Sequence, residues 1–196
     1  MKQMRKIRLP KLRLDKVKVD LKKGLEQLSA GGFQKIYEQI DQLNIKKGVD
    51  QLGIDRFVTQ CAILAAGSGA ITGLGGITTL LVGVPLDIIN LITQQFRVTL
   101  AISYHHTGKY ALRFEDFFRI VASSFKVDAG MAVSKNMMEQ VAEKILLSVG
   151  AKTAERLVPV VGAVIGGTTN YLFIKRIATN IIEKHNENKV DISSLN

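Results

Sequence analysis

The sequence has one cysteine, three prolines, no tryptophan, and aromatic residues at only 6%. A lone thiol, Cys61, excludes an intramolecular disulfide framework and a cysteine-rich metal centre. Its apolar surroundings read as a buried, inert thiol in a reducing compartment. No clear alternating strand appears, although Ile7, Leu9, Leu12 and Leu14 alternate more like an extended segment around Pro10, and the apolar stretches are too long and too glycine-punctuated for a β-sandwich. Charge is missing from two whole stretches, 57–86 and 157–174.

Catalytic signatures are also missing. There is no G-x-x-x-x-G-K-[ST] phosphate loop and no H-E-x-x-H. Gly67, Gly69 and Gly73 give G-x-G-x-x-x-G, one residue longer than the dinucleotide fingerprint. The acidic residue twenty positions on, Asp87, follows Pro85, where a helix starts rather than a strand ends. Ser68 lacks the flanking glycines of a nucleophile elbow, since Ala66 and Ala70 stand there. His105 and His106 are adjacent, so on a helix they point about 100° apart and do not serve one metal; a place near a helix end suits them. No cofactor and no metal is expected.

What the sequence does have is a very uneven charge. Residues 1–23 carry ten basic side chains, Lys2, Arg5, Lys6, Arg8, Lys11, Arg13, Lys16, Lys18, Lys22 and Lys23, against Asp15 and Asp20. Eight of the ten net positive charges therefore lie in this arm, and the rest of the chain is nearly neutral. No apolar core or cleavage site follows the basic residues, so the arm is not expected to be a secretory signal. Leu14, Val17, Leu21, Leu25 and Leu28 fall at helical spacing over 13–28, with lysines on the other face. Such a helix suits an anionic membrane surface, or else packs its leucines on the body.

Ser29-Ala-Gly-Gly32 should break that helix, and Phe33, Ile36, Tyr37, Ile40 and Leu43 mark a second one. Phe114, Phe117, Phe118, Val121 and Phe125 form an aromatic core stripe opposite Glu115, Asp116 and Arg119. A further helix runs through Met137, Met138, Val141, Ile145 and Leu146 to Val149, with Gly150 as its stop. From Glu183 the chain loses apolar periodicity and is expected to fray.

The expected architecture is all-α: a basic arm over 1–28, one compact helical domain over 29–182, and a polar tail over 183–196. Within the domain, Gly69 and Gly73, and Gly162 and Gly166, form two G-x-x-x-G pairs that let helix backbones approach closely, with Ala62, Ala66 and Ala70 continuing the small surface. The two uncharged stretches are long enough for membrane insertion, yet their Gly, Pro, Thr and Asn content suits a buried hairpin equally well.

After Pro85, residues Asp87, Asn90, Gln94 and Arg97 recur at intervals of three, four and three, one polar row on an apolar helix. Buried polar groups need partners, and Asn170, Tyr171, Lys175 and Arg176 on the other apolar helix are candidates. Two readings stay open: a satisfied network that fixes helix register, or a ligand or catalytic site acting on a lipid or amphiphile.

The Gly-rich segment, VPLDIINLITQQFRVTLAISYHHTG and RLVPVVGAVIGGTTNYLFIKRIA together resemble the EcsC protein family over about Asp55 to Ile182. Pro85 and Asp87, Gln95-Phe-Arg97, and Pro159-Val-Val-Gly162 through Asn170-Tyr171 carry the resemblance. It implies a helical bacterial protein without an assigned reaction, whose namesake is encoded beside the components of an ABC transporter. The expected function is a non-enzymatic cytoplasmic protein at the inner membrane surface, accessory to a membrane transport system. Its expected partners are an anionic membrane surface and a transporter. Nucleic acid ranks lower, because no stacking aromatics accompany the basic residues.

Overall fold

The computed structural model describes residues 24, 26–67, 84, 86–128, 130, 132–148 and 159–193, the last with side chains only over 167–186. Among them are seven α-helices and no strand. The basic residues of the arm fall outside the described residues. So do Ser68, Gly69 and Gly73.

The break at Ser29-Ala-Gly-Gly32 is a wide helical turn, Leu28–Gly32, in which Ala30 leaves helical dihedrals and Gly31 adopts φ 112°. The space beside Gly31 is open, so its backbone rather than packing calls for glycine. Helix α1, Phe33–Glu38, buries Phe33, Ile36 and Tyr37. The expected single helix through Leu43 is in fact two. The Asp41 carboxylate accepts the Asn44 N–H at 3.1 Å and caps the start of α2, Gln42–Leu52. Leu43, on the new axis, is 45% exposed.

Gly53, at φ 75°, turns α2 into α3, Ile54–Ala66. The first uncharged stretch does not form one helix: α3 ends after 13 residues, and Gly67 is extended at φ −87°, ψ 122°. No helix among the described residues is long and apolar enough to cross a membrane.

Helix α4, Leu86–Thr107, is buried on nearly all sides from Ile89 to Ser103. Its buried hydroxyls are satisfied within the helix: Thr93 donates to the Ile89 carbonyl and Thr99 to that of Gln95. Helix α5, Phe114–Ser124, turns Phe117, Phe118 and Val121 inward, as its stripe requires. Phe117 meets Phe96 at 4.8 Å and Tyr37 at 4.6 Å, while Phe118 meets Phe33 at 5.2 Å. Helix α6, Lys135–Ser148, starts where the Ser134 hydroxyl accepts the Met137 N–H, and buries Met137, Val141, Ile145 and Leu146.

Helix α7, Pro159–Ser193, runs 35 residues and corrects the expectation of a frayed tail from Glu183. Apolar periodicity governs burial, whereas helix continuation needs only the absence of breakers. No Gly or Pro occurs between Thr168 and Ser193, and extending a formed helix costs far less than nucleating one.

Helices α3, α4 and α7 pack on one another at the centre. Their contacts fix the directions. Asn90 meets Leu64 where Arg97 lies over Phe57, and Asn170 meets Ala65 where Lys175 meets Thr59. Helix α3 is therefore antiparallel to both α4 and α7.

Candidate functional site

The polar row is assembled by helical spacing on α4 and is aimed at the C-terminal end of α3. The last carbonyls of any helix lack partners within it. Here they are collected from two sides. The Asn90 amide donates to the Leu64 carbonyl at 2.9 Å and, more weakly, to that of Gly67 at 3.4 Å. From α7, the Asn170 amide donates to the Ala65 carbonyl at 3.1 Å. One turn before Asn170, Gly167 lies so close to Ala66 that an added Cβ would stand 3.0 Å from its carbonyl oxygen.

Behind this cap the row forms a chain. Gln94 donates to the Asn90 side-chain oxygen at 3.1 Å, and Arg97 donates to the Gln94 oxygen at 3.2 Å. Asn90 and Gln94 are 2% and 4% exposed, so both sit where an unmade hydrogen bond is expensive. The half-buried Arg97 guanidinium also lies over the Phe57 ring, 5.6 Å from its centroid. Phe57 in turn presses on α2: a Cβ on Gly48 would fall 2.6 Å from the ring.

Cys61 lies in the same α3 face. Burial pushes its thiol up to about 11, outweighing the opposing pull of the nearby Arg97 charge, so the group is neutral and unreactive at physiological pH.

Of the sequence candidates, Asn90, Arg97 and Asn170 thus reach α3, with Gln94 linking Asn90 to Arg97 along α4; among the described residues no hydrogen bond joins the polar rows of α4 and α7. Asp87 stands exposed in the first turn of α4. Tyr171 packs partly buried against the core, and Lys175 donates to Thr59 at 3.0 Å. Gly162 and Gly166 lie within α7; the described close approach to α3 is made one residue further on, at Gly167, against Ala66. His105 and His106 sit in the last turn of α4, and His106 meets the His185 ring of α7 at 4.9 Å.

Gln95 entered the sequence reading only through the resemblance and not as a site residue, yet it is 0% exposed and neither atom of its amide has a partner among the described residues. Its signal was available: α4 is apolar on the side of Leu91, Ile92, Val98 and Ile102, and Gln95 interrupts it.

What the arrangement does chemically is bind backbone. The Asn90 and Asn170 amides neutralise the partial negative charge at the end of α3 and hold α4 and α7 to it in one register.

Compared with protein-family models, curated proteins and solved structures, the chain gives no match to any of them.

Proposed function

We propose that this protein is a non-enzymatic helical module held at an anionic membrane surface by its basic arm, on the cytoplasmic side, as an accessory to a membrane transport system. The observation that carries the reading is the charge distribution: eight of ten net positive charges within residues 1–23, beside a body of helices that is close to neutral. A basic side chain near an anionic surface contributes about 1 kcal/mol, so several acting together give firm yet salt-sensitive attachment. The transport role rests on the resemblance to the EcsC family alone.

The polar row supports the non-enzymatic side of the proposal. The Asn90 amide is committed to the end of α3 and the Gln94 amide to Asn90, and both residues are closed to solvent. The competing reading, an enzyme acting on an amphiphile, is left with Asp87 and the half-buried Arg97 within solvent reach.

Flotation with vesicles tests the proposal. The full chain should float with vesicles containing anionic lipid and not with neutral ones, and should be released by high salt. Changing Lys2, Arg5, Lys6, Arg8 and Lys11 to Gln should weaken attachment sharply. Equal flotation with neutral vesicles, or attachment indifferent to these substitutions, overturns the reading. Tight, salt-dependent binding to nucleic acid without flotation replaces it.

A further inference from the structure

A groove of about 380 Å³ opens between the C-terminal ends of α5 and α6 and the middle of α7. Its floor is apolar: Phe125 and Phe173, stacked at 6.0 Å, and the buried Ile177. Leu147 and Leu172 form an apolar lip, and Leu172 is 55% exposed. Three cations line the same space, Lys126, Lys144 and Arg176, and no carboxylate is among the described lining residues. One wall is fixed to α7 by the Asn180 amide, which donates to the Ser124 carbonyl at 3.2 Å.

The cations differ in what else they do. Lys144 donates to the Phe125 and Lys126 carbonyls at 2.7 and 3.1 Å, the ordinary service of a basic group at a helix end. Lys126 occupies the left-handed position that closes α5, at φ 54°, with its N–H on the Ser123 carbonyl and the Val127 N–H on that of Ala122. Glycine fits that position without strain, and a lysine there places a charge at the mouth of the groove against the backbone's own preference. Arg176 comes from the opposite wall and presents a planar fork of donors suited to phosphate or carboxylate oxygens.

We propose that this groove holds a single-chain anionic amphiphile, with its alkyl chain along Phe125, Phe173 and Ile177 and a phosphate monoester head among Lys126, Lys144 and Arg176. An apolar floor with a few convergent polar groups is the usual form of a small-molecule site, and the volume falls in the usual range of about 300–1,000 Å³. The apolar floor argues against a bare anion, and the cationic rim against a neutral hydrocarbon. The chain's own basic arm is unsuited to the groove because their charges repel. The inference stands apart from the membrane proposal, which depends on residues 1–23 and not on the groove.

The test is calorimetric titration of the full chain with dodecyl phosphate below its micelle concentration, with inorganic phosphate and dodecyl maltoside as comparators. Saturable one-to-one binding is expected, at least tenfold tighter than either comparator. Arg176→Gln and Leu172→Ser change exposed side chains and should each weaken binding about tenfold. Lys126→Gly should weaken binding while melting no lower than the parent, which separates the charge from the helix end. Binding should persist when the five arm residues named above are changed to Gln. The proposal is overturned by non-saturating uptake, by phosphate or the maltoside binding as tightly, by three groove variants indistinguishable from the parent, or by loss of binding with the arm charges. Flotation remains the separate measure of the arm, so either reading can fail alone.

Discussion

Replacing Asn90 by Ala tests whether the polar row is structural. The substitution removes the donor that satisfies the Leu64 carbonyl at 2.9 Å and the acceptor that satisfies the Gln94 amide at 3.1 Å. Asn90 and Gln94 are both buried, so water does not restore the bond to the Gln94 amide, whereas Leu64 is half-buried. The buried Gln94 amide left without its partner costs about 1–3 kcal/mol and the half-buried Leu64 carbonyl about 1, which together give roughly 2–4 kcal/mol. For a chain of this size that corresponds to a fall in Tm of about 5–15 °C. Asn170→Ala is the internal comparison: it breaks one bond, from the half-buried Asn170 amide to the Ala65 carbonyl, and should cost about 1 kcal/mol. The coupling is measurable as well. Adding Gln94→Leu to Asn90→Ala should cost less than the sum of the single changes, because the second substitution removes the amide the first one stranded. Chemical unfolding by urea, followed by circular dichroism, reads all of these. An Asn90→Ala protein within about 0.5 kcal/mol of the parent would refute the structural account and return the row to ligand binding.

Two further substitutions bear on the core. Gly167→Leu should destabilise by about 1–3 kcal/mol or more, because a side chain must enter a space where even a Cβ lies 3.0 Å from the Ala66 carbonyl; an unchanged thermal midpoint removes the close contact of α3 and α7 from the argument. Gln95→Met, similar in volume and without the unpartnered amide, should be neutral or stabilising by about 1 kcal/mol, whereas a large loss of stability shows that the amide has a partner.

The elements that were legible in the sequence are those whose information is local. Phe114 to Phe125 announces a helix with one buried face because side chains three and four apart share a surface, and Phe117 and Phe118 are indeed inside. Asp87, Asn90, Gln94 and Arg97 could be placed on one face by the same rule. The split between α1 and α2 went unread, because Asp41 can serve either as a polar surface residue or as a cap. Which role it plays depends on where the next helix is drawn by its packing.

The partners of the polar row were not legible. Spacing showed that Asn90 and Asn170 share the apolar helices with unusual polarity, and the sequence pairing set one row against the other. In the structure both reach past each other to the carbonyls at the end of α3, a set of acceptors with no sequence signature because every residue carries one. The groove is hidden for a similar reason: Lys126, Lys144 and Arg176 belong to three elements, and only the approach of α5, α6 and α7 brings their charges together over Phe125 and Phe173.

The sequence by itself determined the helical class, the inward faces of α5 and α6, and the concentration of positive charge in the arm, since periodicity and charge are properties of a chain read in order. Tertiary structure alone decided that α3 stops after Ala66 and is held by amides from α4 and α7, that Gly167 is the close contact, and that cations from α6, α7 and the turn closing α5 share one apolar groove. These depend on which backbone groups are left unsatisfied, and on what lies nearest to them, once the helices have packed.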